Sequence, residues 1–181
     1  GLFTAFRDAC AAIDAAQVPV IAAVDGVAAA GGFELMQAAD ITLISADARV
    51  ADNHVKFGMV PGGGGSVRLP RLVGRQQAMG LLLSGDRISG AEAAALGLAY
   101  RAYPAADFDA AVAEFARTLA GRDRQAVTTI KRLVRAGLEA TPAAAVATEI
   151  DTVVAHILGP AGASSTEQFA TRDHSRAPGS K

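Results

Sequence analysis

The residues best suited to chemistry are a glycine pair and a carboxylate one helical turn later. Gly31 and Gly32 precede Phe33 and Glu34, and a second glycine cluster spans residues 62–65. Glycine lets a ligand approach the backbone closely, and the first turn of a helix leaves N–H groups without partners. Such N–H groups stabilise a developing oxyanion, and a carboxylate beside them can move a proton. The pattern therefore predicts a site in which a main-chain amide polarises a carbonyl next to an acid–base group.

A strand and a helix must position these groups. Residues 18–24 are apolar throughout, which is typical of a parallel strand covered on both faces. Residues 31–39 have the pattern of a short helix, and residues 41–45 and 49–51 are predicted to be extended. A helix follows the second glycine cluster, and Pro70 is expected to shorten or kink it. Strands that alternate with helices indicate an α/β architecture.

Beyond this region the chain becomes helical. Ser89 and Glu92 form a capping-box pattern at the start of a helix, and residues 98–102 are predicted to return as a strand. From residue 104 onward apolar residues recur at helical spacing. Thr141, followed by a proline, marks the N-terminus of a further helix.

The composition excludes several classes of protein. The 181 residues carry a formal net charge of −1, so no basic surface for nucleic acid is indicated. No apolar run is long enough to cross a membrane, and no signal peptide is apparent. A single cysteine, Cys10, favours a reducing, cytoplasmic setting, and three scattered histidines predict no metal site. The glycines match neither a Rossmann fingerprint nor a phosphate-binding loop, since Gly62–Ser66 lacks the required lysine.

Three segments resemble the signatures of the crotonase (enoyl-CoA hydratase/isomerase) family. They read PVIAAVDGVAAAGGFEL at residues 19–35, MVPGGGGSVRL at 59–69 and GDRISGAEAAALGLAY at 85–100. The likeness extends over about residues 1–169. It implies an α/β fold of the crotonase type, a spiral of strand-strand-helix units followed by a C-terminal helical region.

The resemblance also implies a domain organisation. Residues 1–103 would form the C-terminal part of the spiral core, with the oxyanion-hole helix and the glycine loop. Residues 104–171 would form a helical region that closes the pocket and mediates oligomerisation, and residues 172–181 a tail. Family members assemble as trimers, so a homotrimer or a dimer of trimers is expected.

The resemblance assigns roles to the residues of the glycine segments. The amide of Gly31 would bind the thioester oxygen of an acyl-CoA, and Glu34 would be one of two acid–base groups. The expected reaction is hydration or isomerisation of an enoyl-CoA in fatty acid metabolism, through a thioester enolate. Coenzyme A would enter as part of the substrate, and no permanently bound cofactor is expected. The remaining predicted substrate-binding residues are Ala30, Gly32, Gly62, Gly63, Lys131 and Phe169.

His54 departs from the family pattern. In hydratases a second catalytic glutamate lies twenty residues after the first, and here that position is histidine. Imidazole could act as a base or orient a water at neutral pH, which leaves a C–C hydrolase or a decarboxylase as alternatives. His54 could equally be a hydrogen-bonded residue at the rim of the site. Asp52 lies close in sequence, but on a continuing strand it would not point the same way as His54.

Family members have roughly a third of a domain before the segment that opens this sequence. That portion normally supplies the second oxyanion donor and much of the adenine pocket. The chain as given is therefore expected to be a poor catalyst, and a scaffold protein that keeps the fold is a further alternative.

A predicted helix of the C-terminal region carries a basic face made of Arg124, Lys131, Arg132 and Arg135. An ordinary solvated face explains it, and contact with the phosphates of coenzyme A is the functional alternative. Phe169 with Arg172 and Arg176 resembles the aromatic and basic tail that contributes to the acyl-CoA pocket in the family.

Overall fold

The structure, a computed structural model, describes residues 1–159 and residue 162. The chain divides into two compact units, Gly1–Asp123 and Arg124–Lys181. The predicted division into residues 1–103, 104–171 and 172–181 remains a prediction. Predicted features of the tail, including Phe169, Arg172, Arg176 and His174, lie outside the described residues.

Helices and strands alternate through the first unit. In chain order they are α1 (Leu2–Ala15), β1 (Ile21–Val24), β2 (Val27–Ala29), α2 (Gly31–Ala38), β3 (Ile41–Ser45), β4 (Arg49–Ala51), α3 (Gly65–Ser84), β5 (Ile88–Ser89), α4 (Gly90–Ala95), β6 (Arg101–Tyr103) and α5 (Phe108–Ala120). Short 3₁₀ turns cover His54–Phe57 and Ala105–Asp107. The second unit contains α6 (Arg124–Gly137) and α7 (Pro142–Leu158).

A parallel three-stranded sheet has the order β1-β3-β6. Ile21 pairs with Ile41 at one end of the β1–β3 ladder, and Leu43 pairs with Arg101 in the next ladder. β3 lies in the centre, and four of its five residues are buried. The predicted central strand is thus confirmed, while the strand expected at residues 98–102 begins only at Arg101.

The second sheet carries the chain to the glycine segments. β2 runs parallel to β4, and β4 runs antiparallel to β5. Because β2 ends at Ala29 and β4 ends at Ala51, the segments that leave these two strands begin side by side. The sequence did not predict β2 or β5, which have only three and two residues.

The core of the first unit is built from the apolar faces of these elements. Phe33 of α2, Ile44 of β3, Val50 of β4 and Leu69 of α3 are fully buried and belong to one hydrophobic cluster. Burial of such side chains contributes about 1.5–3 kcal/mol each. The cluster therefore fixes α2 against the strands and against the start of α3.

Pro70 does not break α3, contrary to the expectation from sequence. The helix continues through Pro70 and bends at Gly74, whose φ of 78° and ψ of 161° lie outside the helical region. Glycine has no Cβ and adopts a positive φ at little cost, so the backbone deviates there.

The predicted capping box of α4 is confirmed. The Ser89 hydroxyl accepts a hydrogen bond from the Glu92 N–H at 3.2 Å, and Glu92 Oε2 accepts one from the Ser89 N–H at 2.7 Å. The Ser89 hydroxyl also donates to Glu92 Oε2 at 2.6 Å. This hydroxyl bond, followed by the bond from the Ser89 N–H, lowers the pKa of the Glu92 carboxyl below its ordinary value of 4.5.

The described part of the second unit, residues 124–159 and 162, contains the helices α6 and α7. Thr141 caps α7 by accepting a hydrogen bond from the Ala144 N–H at 3.4 Å, and a proline occupies the first turn, as the sequence predicted. A cavity of about 620 Å³ between α6 and α7 is lined mainly by apolar side chains, among them Ile130, Leu133 and Val153. Among the described residues, no helix is both long and apolar enough to cross a membrane.

Candidate active site

The N-terminus of α2 presents an unpartnered amide. Ala30, which joins β2 to α2, donates its N–H to the Ala51 carbonyl at 3.1 Å and accepts the Glu34 N–H at 3.0 Å. The N–H of Gly31 has no hydrogen-bond acceptor among the described residues. It is therefore available to bind an oxygen atom, and the partial positive charge of the helix end favours an anionic one.

Ala30 adopts a backbone conformation that side-chain-bearing residues rarely take. Its φ of 50° and ψ of −118° make it the one positive-φ residue other than glycine in the described part of the chain. Such a conformation costs on the order of 1–3 kcal/mol and persists where the surrounding structure imposes it. Here the two hydrogen bonds of Ala30 hold the turn that presents Gly31.

Glu34 is buried, with only 2% of its surface exposed. Its Oε1 accepts hydrogen bonds from the N–H of Gly63 at 2.7 Å and from the N–H of Gly65 at 2.9 Å. Oε2 makes no hydrogen bond within the described part of the chain. One oxygen thus orients the carboxylate, and the other is left to exchange a proton.

The second glycine cluster is tight because it wraps around Glu34. A Cβ atom on Gly63 would lie 3.0 Å from Glu34 Oε2. A Cβ atom on Gly65 would lie 3.1 Å from Asp52 Oδ2 and 3.2 Å from Glu34 Oε1. The absence of a side chain is what allows both amides to reach the carboxylate, so these glycines hold the acid–base group.

Arg68 supports the loop from α3. Its Nη1 donates to the Gly63 carbonyl at 2.6 Å. The carbonyl of Gly63 is therefore held by Arg68, and the N–H of Gly63 is held by Glu34.

Two phenylalanines of α1 lie over the glycine segments. A ring carbon of Phe6 lies 3.6 Å from the position of a Cβ on Gly31, and the same ring also contacts Gly63. Phe3 contacts Gly62 in the same way, at 2.9 Å from the position of its Cβ. The site therefore has an apolar wall. Sequence reasoning did not assign Phe3 or Phe6 to the site.

Asp52 and His54 form a hydrogen-bonded pair beside the loop. Asp52 is 1% exposed, and its Oδ1 lies 2.7 Å from His54 Nδ1 and accepts the His54 N–H at 3.3 Å. The expectation that Asp52 and His54 point apart was wrong, because residues two apart on a strand share a face. β4 ends at Ala51 and a 3₁₀ turn begins at His54, and the two side chains meet where the chain leaves the strand.

The predicted site residues fall into two groups. Ala30, Gly31, Gly32, Glu34, His54, Gly62 and Gly63 all lie around the N-terminus of α2, the loop that follows β4 or the second glycine cluster. Lys131 lies in α6 of the second unit, and Phe169 lies outside the described residues. The roles of all these residues remain predictions.

Sequence reasoning missed Asp52, Gly65 and Arg68 as parts of the site. Gly65 could have been found from its place in the run of four glycines, and Asp52 from its polar side chain directly after an apolar strand. Nothing in the sequence marked Arg68. Within the described residues no group of three or more histidine, cysteine or acidic side chains could hold a metal ion.

The architecture is an α/β unit in which a helix N-terminus offers a free amide beside a buried carboxylate, a combination suited to oxyanion chemistry. The sequence model of the enoyl-CoA hydratase/isomerase family matches residues 3–169. The chain belongs to this family, as its resemblance to crotonases predicted.

Individual relatives agree with this assignment. A probable enoyl-CoA hydratase from Mycobacterium leprae is 36% identical over 136 residues, which are 75% of this chain and 53% of the relative. A mitochondrial enoyl-CoA hydratase from Pongo abelii is 37% identical over 68% of this chain and 42% of the relative. The chain thus spans about half the length of the curated relatives that it matches.

Solved structures confirm the predicted fold class. The crystal structure of an enoyl-CoA hydratase from Bacillus anthracis superimposes with a TM-score of 0.89 at 27% identity, covering 94% of this chain and 66% of that one. The α/β fold with a helical C-terminal region is therefore the crotonase fold.

Proposed function

We propose that the chain acts on an enoyl-CoA thioester, by hydration or isomerisation, through an enolate whose oxygen is bound by the Gly31 amide. The observation that carries this proposal is the geometry of Glu34. Two backbone amides fix its Oε1 at 2.7 and 2.9 Å, and Oε2 is left for proton transfer next to the free N–H of Gly31. Family membership supports the acyl-CoA substrate class.

The chemistry follows from these two groups. A proton that is α or γ to a thioester carbonyl becomes acidic only when the resulting enolate oxygen is stabilised. A preorganised N–H donor contributes about 3–4 kcal/mol to that stabilisation in other enzymes. Glu34 Oε2 then removes or returns the proton at carbon. Burial of the carboxylate keeps water from competing for these interactions.

A second candidate is C–C hydrolysis of a β-keto-CoA or decarboxylation of a β-carboxyacyl-CoA. It is favoured by the pairing of His54 with buried Asp52, because an imidazole paired with a carboxylate is a suitable base for activating water. Both reactions pass through the same thioester enolate, so Gly31 and Glu34 would keep their roles.

Glu34→Gln tests the proposal. The amide oxygen of glutamine can still accept both loop N–H groups, so the fold is expected to persist, but the side chain cannot transfer a proton. We expect kcat to fall by about 10²–10⁴-fold on the substrate that the wild-type protein turns over. The measurement is steady-state turnover across a panel of enoyl-CoA and β-keto-CoA thioesters.

Glu139→Gln, at an exposed position outside the site, is the matched control and should leave kcat unchanged. Unchanged rates in Glu34→Gln would remove this residue from the mechanism. Calorimetric titration with the same thioesters separates a third outcome: binding without turnover by the wild-type chain would support a scaffold or binding role instead of the enzyme.

A further inference from the structure

The two oxygens of Asp52 have different surroundings. Oδ1 accepts from both His54 Nδ1 and the His54 backbone N–H. Oδ2 is fully buried and has no hydrogen-bond partner among the described residues. It lies 3.1 Å from the position of a Cβ on Gly65, whose amide holds Glu34. The Asp52 carboxylate therefore lies between the imidazole and the loop that orients the first acid–base group.

The pairing determines which ring nitrogen of His54 is free. A carboxylate can only accept, so the contact of 2.7 Å requires the proton on Nδ1. In a neutral imidazole the other nitrogen, Nε2, then carries a lone pair. The backbone bond from His54 N–H to the same oxygen restricts the ring further, because it fixes the main chain relative to the carboxylate.

We propose that Asp52 is a positioning residue that selects the Nδ1–H tautomer of His54, so that Nε2 serves as the second proton acceptor of the site. This inference rests on the proposed function and names the group that takes the place of the second carboxylate. The exposed fraction of the His54 side chain is 13%, so the ring is shielded but still reachable by a water or a substrate group.

These residues account for every proton transfer of a hydration. Nε2 takes a proton from water as its oxygen forms the C–O bond, and the alkene electron pair moves to the thioester oxygen at the Gly31 amide. The α-carbon of that enolate takes a proton from the carboxyl of Glu34. Transfer of the proton on His54 back to Glu34 restores the site.

Several charged groups surround the Asp52–His54 pair. Asp52 faces the imidazole directly, and Glu34 lies on the other side of Gly65. The cations on neighbouring elements are Lys56, in the same 3₁₀ turn, and Arg68, which is bonded to the Gly63 carbonyl. Of these four groups, Asp52 is in hydrogen-bond contact with the His54 ring.

Nitrogen NMR of the isotopically labelled chain tests the tautomer without requiring activity. At a pH of about 8.5, above the ordinary titration range of imidazole, the wild-type His54 should show a protonated Nδ1 and an unprotonated Nε2. Asp52→Asn should shift His54 towards the Nε2–H tautomer or a mixture, because an amide can donate as well as accept. His54→Gln assigns the signals by removing them.

Asp86→Asn, an exposed aspartate at the end of α3, is the control and should leave the His54 signals unchanged. A wild-type His54 in the Nε2–H form, or a folded Asp52→Asn variant with the wild-type tautomer, would overturn the proposal. A kinetic measurement uses the thioester that the wild-type protein turns over, with Glu34→Gln measured alongside. On this substrate, Asp52→Asn should lower kcat by on the order of 10²-fold with little change in KM. Absence of turnover in the wild-type protein would contradict the proposed reaction while the tautomer measurement still decides the role of Asp52.

Discussion

At the scale of single residues, the site depends on positions where a side chain is missing. Gly63 and Gly65 donate to the same oxygen of Glu34, and each has an acidic oxygen about 3 Å from where its Cβ would be. A methyl group at either place would have to displace a buried carboxylate. The glycine cluster is therefore required by the shape of the site as well as by the turn.

Gly65→Ala tests this requirement. The added Cβ would lie 3.1 Å from Asp52 Oδ2 and 3.2 Å from Glu34 Oε1, closer than ordinary contacts between nonbonded atoms. We expect the free energy of unfolding to fall by about 1–3 kcal/mol, measured by urea denaturation. Turnover should fall as well, because the added methyl group would displace the Glu34 carboxylate from its two backbone N–H donors.

The matched control is Gly80→Ala in the same helix, α3. A Cβ there meets no atom within 4 Å, and the position is exposed. This substitution should stabilise the chain by roughly 0.5–1 kcal/mol, the usual advantage of alanine over glycine in a helix. Equal effects of the two substitutions would mean that the contacts at Gly65 do not matter.

Residue types alone predicted that Gly31 begins a helix and that Glu34 lies in its first turn, but not the environment of His54. The glycine pair before an amphipathic helix indicates a helix N-terminus, and that geometry follows from local sequence. The Asp52–His54 contact depends on where β4 ends, which is decided by its pairing with β2 and β5. Such pairing is non-local and could not be predicted from the sequence. The expectation that Asp52 points away from His54 also misjudged the strand, on which residues two apart share a face.

At the scale of elements, local signals succeeded where a cap or a long apolar period is present. The Ser89–Glu92 box and the Thr141 cap were predicted from a few residues and are found in the structure. Short strands carry too few residues for a period to be visible, which explains why β2 and β5 were missed. The bend of α3 falls at Gly74, which adopts a positive φ at little cost, and not at Pro70.

The α4 cap predicts a pH dependence. The pKa of Glu92 is lowered in the folded state, so the stability it contributes is complete above the ordinary value of 4.5 and is lost as the pH falls through the lower, folded-state pKa. We expect the urea midpoint of wild type to exceed that of Glu92→Gln at pH 7. The difference should shrink as the pH falls below about 4.5. A difference that stays constant over this range would show that the charge plays no part in the cap.

At the scale of the whole molecule, the second unit has several apolar side chains that are largely exposed. Ile130 and Val134 of α6 are each 59% exposed, and Ile150 of α7 is 55% exposed. Apolar faces of this kind commonly mark association surfaces. Together with the family assignment, they support the proposal of a homotrimer.

Light scattering coupled to size exclusion tests the assembly. The wild-type chain should elute with three times the 18.3 kDa mass of one chain, or with six times that mass for a dimer of trimers. Ile130→Asp places a charge on the apolar face and should reduce the mass to that of a monomer, with helicity by circular dichroism unchanged. Gln125→Asp, at an exposed position of the same helix, should keep the wild-type mass. A monomeric wild-type chain would contradict the proposal.

The attachment of Glu34 to Gly63 and Gly65 has a consequence for how the site can be monitored. Each time the carboxylate leaves its place, two amide hydrogens lose their acceptor together. Their exchange with deuterated solvent should therefore proceed at one common rate, which reports how often Glu34 leaves the two N–H donors. The exchange of these two amides in a ligand-free sample would thus measure how stably Glu34 is held in position before a substrate binds.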